Sequence, residues 1–173
     1  MIHRVLAVLS IAACDRSAPK DPPAPPQEIA VVPDITTIDW RNHTFELASL
    51  GSVKATEGRA EFRLVEGDTF RADQSPTAKG ANGSLVLAPA HFADLDGDDH
   101  DEALIPFEMR TTQPDEAQHL FGVFAYTLRS GDPIQIGVVS APVVLEVDGA
   151  VIKASDPPRT WRWVPAARAF VAE

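Results

Sequence analysis

Six carboxylates fall within the nine residues from Asp94 to Glu102: Asp94, Asp96, Asp98, Asp99, Asp101 and Glu102. Ionised carboxylates packed that closely repel one another unless a cation sits among them or water screens them. Calcium suits a loop of alternating carboxylates such as Asp94, Asp96 and Asp98, because it is a hard ion that takes 6–8 oxygens at about 2.3–2.6 Å in flexible geometry. Magnesium is smaller and stricter about octahedral geometry, and suits the loop less well. Two other uses stay open. One is a solvated acidic turn that merely joins strands; the other is a catalytic pair, for example Asp94 with Glu102 acting on a glycan. A transition-metal site recruiting His91 or His100 beside the carboxylates is a further alternative.

The second chemical feature is Cys14, the only cysteine, so no intrachain disulfide and no cysteine-based zinc cluster can form. Met1 to Arg4 is a short basic start, and Val5 to Ala13 is an apolar run too short to span a bilayer as a stop-transfer helix, which is the layout of a signal peptide. The run ends Ile11-Ala12-Ala13-Cys14 and resembles the bacterial lipobox, in which an apolar residue and two small ones precede an invariant cysteine. That resemblance implies cleavage before Cys14, a lipid on its sulfur, and attachment to the bacterial cell envelope on the periplasmic face. Asp15 resembles the inner-membrane retention signal of enterobacterial lipoproteins. Removing Arg4 with residues 1–13 leaves 14 of the 15 basic residues against 25 acidic ones, a net charge of −11.

The acidic loop resembles the calcium loops of FG-GAP repeats in integrin α chains, whose pattern runs Asp-x-Asp/Asn-Gly-Asp-Gly-x-x-Asp and then a hydrophobic strand. The resemblance assigns Asp94, Asp96 and Asp98 as the first three side-chain ligands, His100 as donor of a backbone carbonyl, and Glu102 as the last ligand. Asp99 stands at the second glycine position and Glu102 at the final aspartate; aspartate tolerates a left-handed backbone better than most residues. The loop is not an EF-hand, since Ile105 occupies the twelfth position and no helices flank it. The resemblance spans about fifteen residues and brings no propeller with it, because one loop cannot supply four blades. More broadly the chain resembles uncharacterised bacterial lipoproteins that combine a lipobox, a Pro-rich tether, a strand ending in such a loop, and a late Trp-Arg-Trp strand.

The elements that must position these groups follow from hydrophobic patterning. Residues 1–13 read as signal peptide, 14–33 as lipidated cysteine and proline-rich tether, and 34–173 as a β-rich domain. The tether carries Pro19, Pro22, Pro23, Pro25, Pro26 and Pro33, a composition that favours extended, solvated backbone. Beyond it, short apolar alternations punctuated by Gly, Asp and Pro, with no long helical period, predict a mainly β, antiparallel, sandwich-like single domain with few short helical turns; α+β is the alternative. The first pair is expected from Ile35 to Trp40 and His43 to Leu47, the next from Ala60 to Val65 turning at Glu66-Gly67 and returning through Thr69 and Phe70. Asp148-Gly149 is expected at the centre of a type I′ hairpin pairing Val147 with Ala150, Leu145 with Ile152 and Val143 with Ala154. Phe121 to Leu128, apolar on both alternating faces, reads as a central strand. Ile134, Ile136 and Val138 mark its partner. Trp161 and Trp163 share one face of a late strand that returns through Phe170, closing a core or binding a planar ligand. Residues 74–83 and 111–119 read as loops.

The acidic balance argues against nucleic acid or anionic headgroups as electrostatic partners. No nucleophile elbow, phosphate-binding glycine loop or zincin helix is present, and His43, His91, His100 and His119 are scattered. The leading expectation is a non-enzymatic, membrane-tethered β domain with a structural calcium ion that contacts a protein or cell-envelope polymer. The alternative is an envelope glycan hydrolase using the paired carboxylates.

Overall fold

The computed structural model describes residues 33–67, 70–112 and 117–173. The expected signal peptide, Cys14 and the tether up to residue 32 lie outside that range. From Pro33 onward the chain belongs to one compact unit. It is mainly β, as the patterning predicts, and its strand pairs are antiparallel. Among the described residues no helix is long and apolar enough to cross a membrane.

Two 3-10 turns, Ile35–Thr37 and Trp40–Asn42, come first. The strands follow as β1 (Thr44–Glu46), β2 (Ser52–Lys54), β3 (Arg59–Val65), β4 (Arg71–Asp73), β5 (Ala81–Leu87), β6 (His91–Ala93), β7 (Glu102–Thr112), β8 (Ala117–Arg129), β9 (Asp132–Ala141), β10 (Leu145–Asp148), β11 (Val151–Ser155), β12 (Pro158–Val164) and β13 (Ala169–Ala172), with a third 3-10 turn at Ala48–Leu50. A seven-stranded sheet ordered β4-β3-β5-β7-β8-β9, with β6 beside the start of β7, forms the middle of the molecule. Its two faces are covered by different parts of the chain. Ile105, Phe107, Phe124 and Tyr126 pack against Trp40, Phe45 and Val53 from the β1–β2 hairpin and the turn before it. On the other face Leu104, Val123, Ala125 and Val139 pack against Leu145, Ile152, Ala154 and Trp163 of the four-stranded sheet β10-β11-β12-β13.

This three-layer arrangement explains why Phe121–Leu128 carries apolar residues on both alternating faces: successive side chains point to opposite faces of a strand, and here each face has its own core. Val123, Phe124 and Ala125 are all fully buried. Gly122 fits the same crowding, since a Cβ there would lie 2.2 Å from the Phe107 ring and 2.8 Å from the Val139 carbonyl oxygen.

Pro106 in the middle of β7 looks at first like a strand breaker. Along that edge β7 pairs with β6 through Leu104 and with β5 only from Phe107 onward. Its missing N–H therefore meets the break between two partner strands, where the Pro106 carbonyl instead accepts from the Ala88 N–H at 2.8 Å.

Several sequence expectations need correction. Ile35–Trp40 does not pair with His43–Leu47; the first segment winds into 3-10 turns, seeded by Asp34, whose side chain accepts from the Thr36 N–H at 2.9 Å, and β1 pairs with β2. The β3 return strand is Arg71–Asp73, one residue beyond Phe70. Residues 81–83 belong to β5, while 111–112 and 117–119 belong to β7 and β8; polar side chains are compatible with strands where one face is solvated. The late hairpin turns one residue later than expected, pairing Leu145 with Ala154 and Val147 with Ile152 around Gly149-Ala150. Gly149, at φ +57°, leads the two-residue loop, a position glycine also favours. The change keeps the same apolar face inward and leaves Lys153 on the other face, where its ammonium pairs with Asp148. In β9 the alternation is broken by a bulge between the Ala125–Gly137 and Tyr126–Gln135 pairs. Val139 becomes the buried residue, and Ile134 and Val138 stay about 40 % exposed.

Candidate metal site

β6 and β7 form a hairpin in which Ala93 pairs with Glu102, so residues 94–101 are its connecting loop. Leu95 is the loop's apolar anchor: it is buried in the core between the central and four-stranded sheets. Anchoring Leu95 inward leaves Asp94 and Asp96, its neighbours, exposed on the same side of the loop. Left-handed backbone at Gly97 (φ +82°) and Asp99 (φ +66°) then folds the loop back. Aspartate tolerates this left-handed conformation better than most residues do.

Asp94 organises the backbone around it. Its Oδ1 accepts from the Gly97 N–H at 2.6 Å and its Oδ2 from the Asp99 N–H at 3.2 Å. These donors, Gly97 foremost, hold its carboxyl below the usual carboxylate range. Glu102 has the opposite environment. It is the first residue of β7, 3 % exposed, and lies across from Thr127 on β8. Its Oε2 accepts from the Leu95 N–H at 2.9 Å and its Oε1 from the Thr127 hydroxyl at 3.0 Å. Burial pushes its pKa up despite those two bonds, and the nearby Asp96 and Asp98 charges add to the rise.

Carboxylate oxygens of Asp94, Asp96 and Glu102 all lie within 4.8 Å of one another. Two oxygens that share one calcium ion at about 2.3–2.6 Å can be no more than about 5.2 Å apart, so each pair of the three lies within the span of a shared ion. One expected side-chain ligand stands apart from this group. The Asp98 carboxylate does not converge with the other three; its Oδ1 accepts from the His100 N–H at 2.9 Å and shapes the end of the loop. His100 is exposed. The other histidines are dispersed: His43 packs edge-on against Trp40 and Phe45, His91 opens β6, and His119 pairs with Glu108 at 2.8 Å on the outside of the sheet.

Leu95 and Thr127 belong to the site, although sequence reasoning did not single them out. Leu95 had a local signal, as the one large apolar side chain in an acidic run. Thr127 had none, since its role depends on the register between β7 and β8. Trp163 is buried against Phe170 at 5.3 Å between ring centroids, which fits closure of a core, and Trp161 is only half-buried beside Arg159. Compared with known protein families, characterised proteins and solved structures, the chain matches none.

Proposed function

We propose that this chain is a bacterial envelope lipoprotein, anchored through lipid on Cys14, whose β domain is non-enzymatic and uses Asp94, Asp96 and Glu102 to hold a structural calcium ion. In this reading the domain presents its surface to a protein or cell-envelope polymer. The observation that carries the metal assignment is the convergence of three carboxylates from both ends of a hairpin loop, with the buried one at its base. An ion there ties residues of the loop to the first residue of β7, and through Thr127 to β8, so its role is to fix the loop against the central sheet.

Calcium binding of the extracellular-module kind, with Kd on the order of 10⁻⁴–10⁻³ M, stabilises a fold by about 1.4–2.7 kcal/mol at about 10 mM ion. Calcium should therefore raise the melting temperature measured after chelator treatment, magnesium should do so less, and the Asp94→Asn, Asp96→Asn double variant should lose the gain. An equal calcium response in that variant rules the site out. The anchor is tested separately by labelling cells with a radioactive fatty acid: the chain should take up label, and Cys14→Ala should take up none.

The hydrolase alternative draws on one observation, that Asp94 and Glu102 are pushed in opposite directions from the usual carboxylate range. Against it, Glu102 is almost fully buried, so a bulky glycan has no approach to its carboxyl. Neutralising a catalytic carboxylate removes turnover, whereas neutralising a structural ligand removes the calcium-dependent stability.

A further inference from the structure

On the far side of β7 from the four-stranded sheet, a cavity of about 360 Å³ opens between the Trp40–Asn42 turn, the turn joining β2 to β3, and the segment joining β5 to β6. The cavity lies where β7 changes partner at Pro106, and Ala88, Pro89 and Ala90, which join the two partner strands, line it. Its walls include Trp40, Leu87, Pro89 and Ile105, all apolar. Arg41 and Arg59 also line it, together with Glu57.

The polar side of this cavity is rigidly built. Thr56 and Arg59 exchange both backbone hydrogen bonds, at 2.7 and 3.1 Å, around Glu57 and Gly58, both left-handed at φ +53° and +82°. The Trp40–Asn42 turn clamps that hairpin tip. The Gly58 N–H donates to the Arg41 carbonyl at 2.7 Å, the Glu57 N–H to Asn42 Oδ1 at 3.0 Å, and Arg41 Nη2 to the Glu57 carbonyl at 3.0 Å. The last bond holds one guanidinium in place while leaving its other donors free for a ligand.

Charge completes the description. Among the described residues neither Arg41 nor Arg59 takes part in an ion pair, in a chain where acidic residues outnumber basic ones 25 to 15. With Glu57 counted, the lining carries one net positive charge. Trp40 is 94 % buried in the wall, and its indole N–H is one of two buried side-chain polar atoms without a partner among the described residues. Planar guanidinium forks recognise carboxylates in two-point geometry, and a small, mostly apolar pocket with a few convergent donors is how proteins hold small ligands.

We infer that this cavity is a binding site for a small monocarboxylate with an apolar body, whose carboxylate meets Arg41 and Arg59 and whose body lies against Trp40, Leu87 and Pro89. The site is independent of the acidic loop, so it stands or falls apart from the calcium assignment.

Benzoate is a suitable probe, titrated into the full, isotopically labelled chain while nitrogen–proton NMR shifts are followed. Saturable shifts should concentrate at the Trp40 indole N–H, at Gly58 and at the Arg41 and Arg59 Nε–H groups. Benzyl alcohol, of similar shape and no charge, should bind at least about tenfold more weakly, because the charge-assisted bonds are lost. Arg59→Gln should weaken benzoate by about threefold or more, and the Arg41→Gln, Arg59→Gln double variant by about tenfold or more. Because Arg41 also supports the hairpin tip, the comparison with benzyl alcohol on the unaltered protein and the Arg59→Gln variant decide the question if the double variant fails to fold. Equal affinity for the two probes, shifts scattered over the surface, or no saturation by about 10 mM benzoate overturns the assignment.

Discussion

Without calcium at neutral pH, the Glu102→Gln variant should melt above the unaltered protein, and with about 10 mM calcium it should melt below it, so that the order of the two proteins reverses. The reversal follows from the environment of Glu102. Its carboxylate is buried at the start of β7 close to two other carboxylates, and burial raises its pKa above the usual glutamate range. A carboxyl whose folded pKa lies above its unfolded one contributes stability that is fully present below the unfolded value and is lost as pH rises through the folded value. At neutral pH the ionised group therefore opposes folding unless a cation compensates it. Glutamine removes the charge at nearly constant volume and can keep both hydrogen bonds: its oxygen accepts from the Leu95 N–H, and its amide donates to the Thr127 hydroxyl, which can serve as acceptor.

Calcium inverts the balance, because the ion needs the charge that the empty fold disfavours. A tenfold loss of affinity on removing one of three carboxylates cuts the calcium gain from about 1.4–2.7 to about 0.4–1.4 kcal/mol at about 10 mM ion. Thermal melts of both proteins from about pH 4 to pH 8, with chelator and with calcium, test both halves. The difference between variant and parent in chelator should grow as pH rises, since the parent alone carries the titrating group. Asp94, held below the usual range by its backbone donors, shifts both proteins in the other direction at acid pH and cancels in the comparison. Equal calcium gains in the two proteins would remove Glu102 from the site.

What made this loop legible before any coordinates is that its chemistry is local. Alternating aspartates and a glycine within nine residues define a turn whose ligands come from adjacent positions, and Asp94, Asp96 and Glu102 do converge. Asp98 stands outside the three that converge, because a carboxylate in a tight loop can cap a nearby backbone N–H as readily as it can face an ion, and spacing does not separate the two. The late hairpin shows the same limit in another form. Its apolar face was readable from alternation, while its register depended on whether Gly149 takes the first or the second turn position, and either choice buries the same side. The Ile35–Trp40 segment failed for a different reason. Its apolar residues suit a strand in isolation, but the Asp34 cap and the cover needed by the central sheet turn it into 3-10 structure that delivers Trp40 to the core. The cavity beside Arg41 could not be read at all, since it arises where two strands hand over along β7.

Phe124→Ala should be the most damaging single truncation, lowering stability by about 3–5 kcal/mol and the melting temperature by roughly 10–20 °C. Phe124 is fully buried in the middle of β8 and stacks between two rings, Phe107 of the same sheet at 4.2 Å and Phe45 of the covering β1–β2 hairpin at 4.9 Å. Removing the ring leaves a cavity between two layers that are tied elsewhere mainly through side chains, among them the Gln135 amide bonded to the Glu46 backbone and to the Tyr126 hydroxyl. The backbone of β8 is paired on both sides and cannot collapse into the space, so the transfer loss and the cavity loss should both be felt. The calcium response separates this damage from the metal site. Phe124 faces the β1–β2 layer, whereas Thr127 stands about 10 Å further along β8 on the other face, bonded to Glu102 of β7. Effects at that separation add, so Phe124→Ala should lower both melting curves while leaving the calcium-induced rise unchanged. A loss no greater than that of Val144→Ala, a residue 59 % exposed, would mean that the β1–β2 hairpin does not pack on the central sheet as described.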